Sequence, residues 1–167
     1  GQWMGGGTLF PSNMAMAATG DSSLAYDQGR ITAVEARALG VHITFSPVMD
    51  INNNPDNPII NFRAYSDNAE IVSKFGTEFI RGVQDNGLVA CAKHFPGHGN
   101  TSTDSHSSLP TIAGSKTELM NLELKPFKAA INANVGMMMV GHIALPGLDG
   151  SGIPASHSHA ISTELLR

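Results

Sequence analysis

Apolar residues recur along this chain at two spacings, and the two spacings take turns. Over residues 21–39 the spacing is helical, with Leu24, Ile31, Val34 and Ala38 on one face. Asp21 or Ser22 can cap that helix and Gly40 can stop it. Residues 41–48 (VHITFSPV) then read as a buried strand closed by Pro47, and residues 52–57 as a turn-rich loop. Asp67-Asn68-Ala69-Glu70 reads as a capping box, followed by Val72, Phe75, Phe79 and Val83 at helical spacing up to Gly87. Residues 88–92 form a second short apolar run that delivers Lys93 and His94 at its end. Ser115-Lys116-Thr117-Glu118 is another capping box, with Leu119 and Leu122 behind it. Pro126 suits the first turn of a further helix carrying Phe127, Ala130 and Ile131. Residues 135–140 (VGMMMV) read as a third buried strand ending at Gly141-His142, and Ser162 as the cap of a last helix. Residues 1–20 read as loop. Gly5-Gly6-Gly7 follow no predicted strand, which speaks against a phosphate cradle.

The order is helix, strand, helix, strand, helix, strand, helix. Strands that are apolar throughout expect cover on both faces, and such alternation predicts parallel βα units. Polar residues gather just after the strands: Asp50, then Lys93 with His94, then His142. Sites in α/β folds form at those strand ends. Three strands are too few to close an eight-stranded barrel. The expected fold is therefore α/β, a segment of a (β/α)8 TIM-type barrel with parallel strands, incomplete at both ends, over residues 1–167. The start at Gly1-Gln2-Trp3 and the stop at Leu165-Leu166-Arg167, inside a new helical pattern, agree with that expectation. The open sheet edges would then be covered by the missing barrel segments or by another copy of the chain.

The 167 residues are 41% hydrophobic and only 14% charged, which argues for a packed interior and against disorder. A net charge of −4 without a basic stripe argues against nucleic acid as a partner. No run is long enough to span a membrane. Cys91 is the single cysteine, so no disulfide forms within the chain, and the compartment, cytoplasmic or periplasmic, stays open.

Lys93-His94-Phe95-Pro96-Gly97-His98-Gly99 and Asp104-Ser105-His106 place three histidines, a lysine and an aspartate within fourteen residues. Pro96, Gly97 and Gly99 break a helix there, so the side chains are expected on an irregular loop. Asp104 and His106 can face each other if the loop curls back. A carboxylate then fixes the imidazole tautomer and makes His106 a general acid/base, the alternative being a turn-forming Asp104 and a solvated His106. Lys93 offers a point charge and His94 a directional donor, a combination suited to hydroxyl groups; the alternative is a snorkelling Lys93 and a His94 bonded to backbone. Arg63, just before a helix, either reaches across to hold hydroxyls or pairs with Asp67 or Glu70. His98 is expected to bond locally and hold the loop. A metal-dependent hydrolase using His94, His98, His106 and Asp104 is the rival reading, although no cofactor is expected. His42 reads as a core or edge residue, Cys91 as a buried apolar one, and Met137 to Met139 as core strand. His157 and His159 read as solvated, His142 as a possible site-lining residue, and Asp50 as a residue drawn into the turns of Asn52 to Asn54.

The run KHFPGHG with DSH five residues on resembles the N-terminal barrel of family 3 glycoside hydrolases, most of all its β-N-acetylglucosaminidase branch. The likeness continues in FPSNMAMAATGD (10–21), EARALGVHITFSPVMDINNNPDNPIINFRAYSDN (35–68), LKPFKAAINANV (124–135), MMVGHIALPGLD (138–149) and IPASHSHAISTELLR (153–167). The resemblance implies retaining hydrolysis of terminal β-linked sugars, with a carbohydrate substrate. It implies His106 as acid/base with Asp104 as its partner, and Arg63, Lys93 and His94 as holders of sugar hydroxyls. The nucleophile it implies is an aspartate on a later strand, outside this sequence, and an upstream sugar-binding aspartate is likewise outside it. A third possibility is a carbohydrate-binding module without catalysis.

Overall fold

Three parallel strands alternate with helices in a computed structural model that describes residues 6–103 and 108–167. The strands are β1 (Ile43–Thr44), β2 (Val89–Phe95) and β3 (Met137–Val140), in the spatial order β1-β2-β3. The helices are α1 (Asn13–Ala17), α2 (Ser23–Ala38), α3 (Ala69–Gln84), α4 (Lys116–Asn121) and α5 (Lys125–Asn132). The expected α/β architecture is thus present, with each crossover carried by helix. Among the described residues no helix is long and apolar enough to cross a membrane.

β1 is regular over two residues only, but extended pairing with β2 continues past it. Cys91 N donates to Ser46 O, Lys93 N to Pro47 O, and Met49 N to Lys93 O at 2.7 Å. The expected full burial of residues 41–48 fails: Val41, Ile43 and Phe45 are exposed, because β1 has a strand neighbour on one side alone. Met137, at the start of β3, is exposed as well. β2 runs three residues further than its apolar run, so Lys93 and His94 sit on the strand rather than on an irregular loop. The Lys93–His94 and Phe95–Pro96 peptides are cis.

α3 follows its pattern. Val72, Phe75, Phe79 and Val83 are buried, and Gly87 beyond it takes φ +77°. Its cap is Asn68, whose Oδ1 accepts from Glu70 N and Ile71 N, in place of the expected box opened by Asp67. The capping box at Ser115 and Glu118 is present in both halves, and Pro126 lies in the first turn of α5. Ile131 leaves the apolar face and is exposed, while Phe127 and Ala130 are buried. The final helix is a π turn, Ala160–Leu165, in which Ser158 Oγ, not Ser162, accepts from Ile161 N. The loop expected before residue 20 contains α1, capped by Ser12 Oγ accepting from Ala15 N.

α2 turns a face inward that its large apolar residues do not mark. Ala25, Gln28, Gly29 and Ala33 are buried, whereas Leu24 and Val34 are exposed. The reason is close approach to α3. A Cβ on Gly29 would lie 2.4 Å from Phe79 O, and one on Gly82 would lie 2.1 Å from Tyr26 O. Backbone meets backbone there, so only residues without bulk fit. α3 in turn packs on α5 and on β2. Phe95 at the end of β2 meets Phe127 of α5 edge-on, with centroids 5.6 Å apart.

Gly82→Ala should lower stability by about 1–3 kcal/mol through overpacking, outweighing the roughly 1 kcal/mol helix advantage of alanine. Gly150→Ala, where an added Cβ meets nothing within 4 Å, should stay within about 0.5 kcal/mol. Urea denaturation midpoints of the two variants check the contrast.

Candidate active site

The ends of β1 and β2 bring Asp50, His94 and His98 together. Asp50, just past β1, is fully buried. Its Oδ2 lies 2.7 Å from His94 Nδ1, and its Oδ1 accepts from His98 N at 2.7 Å and from His94 N at 3.3 Å. Sequence reading placed Asp50 in the turns of the asparagine loop; the structure corrects this. Asn54 and Asn57 make those turns, through Asp56 N and through Ile59 N and Ile60 N. Asp50 faces the other way, into the end of β2. A signal was present in its position, since it follows a strand as Lys93 does.

His98 is buried and bonds locally as expected, with Nδ1 2.8 Å from Thr101 Oγ1. Its Nε2 is buried with no partner among the described residues. Asn57 Nδ2 donates to His98 O at 2.8 Å and to Gly99 O at 2.9 Å. Gly99 lies so close to the chain after β1 that a Cβ would fall 1.6 Å from Ile51 O. The glycine-rich segment is therefore pinned against the preceding βα loop at three points, Asp50, Ile51 and Asn57, and is tied to itself through Thr101.

Arg63 and Lys93 line one cavity of about 310 Å³, together with Phe10, Asn13, Ser46 and Phe62. Burial, and next the positive charge of Arg63, hold the Lys93 ammonium below its ordinary pKa. Arg63 Nη1 donates to Ile59 O at 3.1 Å and makes no ion pair with Asp67 or Glu70 among the described residues. Glu70 instead approaches Lys125 at 3.7 Å. His94 is not among the residues lining that cavity. Its ring turns toward Asp50 and lies edge-on to His98, with centroids 6.0 Å apart and a side chain 17% exposed. Tyr65 also lines the cavity; it is buried, and burial pushes its phenol well above the usual range.

Asp104 and His106 lie outside the described residues. Among the described residues no three His, Cys, Asp or Glu side chains are grouped as a metal ion requires. Cys91 is buried, which raises its thiol pKa. His42 is exposed at the sheet edge beside Arg37. His142 is exposed, with Nδ1 3.0 Å from Ser156 Oγ and its ring against that of His157. His159 approaches Glu164 at the surface.

Burial first of all holds the His98 imidazole below its ordinary pKa of 6.5, with a smaller opposing pull from Asp50. The unfolded chain then binds a proton before the folded one does. Stability should fall as pH drops below 6.5 and level off below the folded pKa, where both states are protonated. His98→Asn, which can keep the bond to Thr101, should flatten this acid limb in urea titrations at pH 7.5 and pH 5.

The described geometry has counterparts among known proteins. The model of the glycosyl hydrolase family 3 N-terminal domain matches residues 1–167. Beta-hexosaminidase A from Pseudoalteromonas piscicida is 36% identical over 179 residues, covering 96% of this chain and 29% of that protein. A beta-N-acetylglucosaminidase/beta-glucosidase from Cellulomonas fimi is 42% identical over 135 residues, covering 81% of this chain and 24% of that protein. The solved glycoside hydrolase family 3 beta-N-acetylglucosaminidase from Paenibacillus sp. str. FPU-7 superposes with a TM-score of 0.96 at 46% identity, covering 98% of this chain and 31% of that one. This chain thus spans under a third of the length of each of these three proteins. On the full-length family match and these identities, the chain belongs to glycosyl hydrolase family 3.

Proposed function

We propose that these residues form the sugar-holding wall and the proton donor of a retaining exo-glycosidase acting on terminal β-N-acetylglucosaminides. The observation that carries the reading is the meeting of Arg63 and Lys93 in one cavity at the strand ends, with His94 held beside it by Asp50. Two cations that form no ion pair with a carboxylate among the described residues offer donors to hydroxyl oxygens of a neutral sugar. The names of the relatives, beta-hexosaminidase and beta-N-acetylglucosaminidase, support the amino-sugar substrate over a plain glucoside. The Cellulomonas fimi relative bears both activities in its name, so glucosides are the natural comparison substrate.

His106 is the proposed acid/base and Asp104 its orienting partner, on the strength of the DSH element that follows KHFPGHG. A neutral imidazole escapes the like-charge repulsion that a carboxylate would meet beside an anionic nucleophile. Retention needs a second group, normally a carboxylate about 5–5.5 Å from the donor in glycosidases that use two carboxyls. In this proposal an aspartate outside these 167 residues supplies it.

An aryl β-N-acetylglucosaminide should be cleaved by the full-length protein, faster than the matching β-glucoside, and not by residues 1–167 alone. Cleavage by the short chain would overturn the assignment of the nucleophile. His106→Ala in the full-length protein should lower kcat/KM for poor leaving groups by about 10²–10⁴. It should cost less in glycosylation for activated aryl leaving groups, because those depart without a proton. Lys93→Ala should weaken binding of the sugar product, read by calorimetry; unchanged affinity would remove Lys93 from the site.

A further inference from the structure

Three side chains are offered to the sugar in the reading above, and only one of them can accept a hydrogen bond. Lys93 and Arg63 carry donors alone. His94 can donate or accept at Nε2, depending on where its proton sits, and nothing in the ring itself decides this.

Asp50 decides it. The carboxylate is fully buried and takes three N–H groups: the backbone amides of His94 and His98 on Oδ1, and His94 Nδ1 at 2.7 Å on Oδ2. An ionised carboxylate has no proton to give, so the shared proton belongs to Nδ1. In the neutral ring Nε2 then carries a lone pair. We propose that Asp50 is a positioning residue that fixes His94 as the Nδ1–H tautomer, so that Nε2 accepts the hydrogen of a sugar hydroxyl while Lys93 and Arg63 donate to sugar oxygens. This rests on the sugar-binding reading of Lys93, Arg63 and His94. It makes the site selective for a group that gives and receives hydrogen bonds at once, which a hydroxyl does and an ether oxygen does not.

Asp50→Asn separates orientation from mere filling of space. The asparagine Oδ1 can keep both backbone amides. Its Nδ2 must then face His94 Nδ1 with hydrogens, which drives the ring proton to Nε2. The reversed amide would set its NH₂ against two amide N–H groups, a worse arrangement.

The experiment uses the full-length protein with ¹⁵N-labelled histidine, studied by two-bond ¹H–¹⁵N correlation at a pH where the rings are neutral. His94 is assigned from its loss in His94→Gln. The protein should show Nδ1–H at His94, and Asp50→Asn should show Nε2–H. An Nε2–H tautomer in the unaltered protein overturns the proposal, whether or not Asp50→Asn folds, and so does an unchanged tautomer in a folded Asp50→Asn. Kinetics add the second arm. Asp50→Asn should raise KM roughly tenfold and lower kcat less. In a His94→Gln background, whose amide can turn to accept regardless of Asp50, the same change should cost little. Equal cost in both backgrounds overturns the link through His94. If the tautomer is as stated but neither Asp50→Asn nor Lys93→Ala alters sugar affinity, the sugar-binding reading falls and the tautomer assignment stands.

Discussion

One buried carboxylate governs the geometry of the strand-end face. Asp50 lies past the end of β1, yet its hydrogen bonds among the described residues go to His94 on β2 and to His98 in the segment leaving it. A charge taken so far from water is tolerable only when its lone pairs are filled, and two backbone amides and an imidazole N–H fill them. The same bonds hold a segment whose proline and glycines give it no regular structure of its own. Asn57 and Gly99 complete the hold from the opposite side, through carbonyls and close backbone contact. The shape of KHFPGHG is therefore set by a neighbouring loop some forty residues earlier in the chain.

That dependence explains what was legible in the sequence. Local signals carried the helices with strong caps and bulky stripes: α3 with Phe75 and Phe79, the Ser115–Glu118 box, Pro126 at the start of α5. They also carried the succession of strands along the chain and the gathering of polar residues near the strand ends. The buried face of α2 was read wrongly, because periodicity weighs large apolar residues and the contact with α3 selects for small ones. Asp50 was misread for a related reason. Its neighbours Asn52 to Asn54 offered a local explanation, whereas its partners are distant in sequence and adjacent only in space. β1 was expected to be covered on both sides, but a sheet edge is a property of the assembly that the run VHITFSPV does not encode.

The site divides its labour between rigidity and charge. Lys93 and Arg63 share one cavity, and burial first, then their mutual repulsion, lowers the proton affinity of Lys93. His94 lies to one side, hydrogen-bonded to the Asp50 carboxylate, whose charge offsets part of the repulsion on Lys93. Parallel strands place all of this at one end of the sheet, where the cavity also borders Gln28 and Thr32 of α2 and Phe79 of α3. Stability and chemistry therefore share the same stretch, since Phe95 packs on Phe127 beside the polar residues of that end.

The seam between α2 and α3 has a consequence of its own. Gly29 and Gly82 bring peptide units of the two helices together, and Tyr26 Oη donates to Asp85 Oδ2 at 3.1 Å near the same join. The exposed polar bond can be lost to solvent at little cost, whereas the backbone contact leaves no room, so the seam should tolerate a change of surface charge far better than one added methyl group.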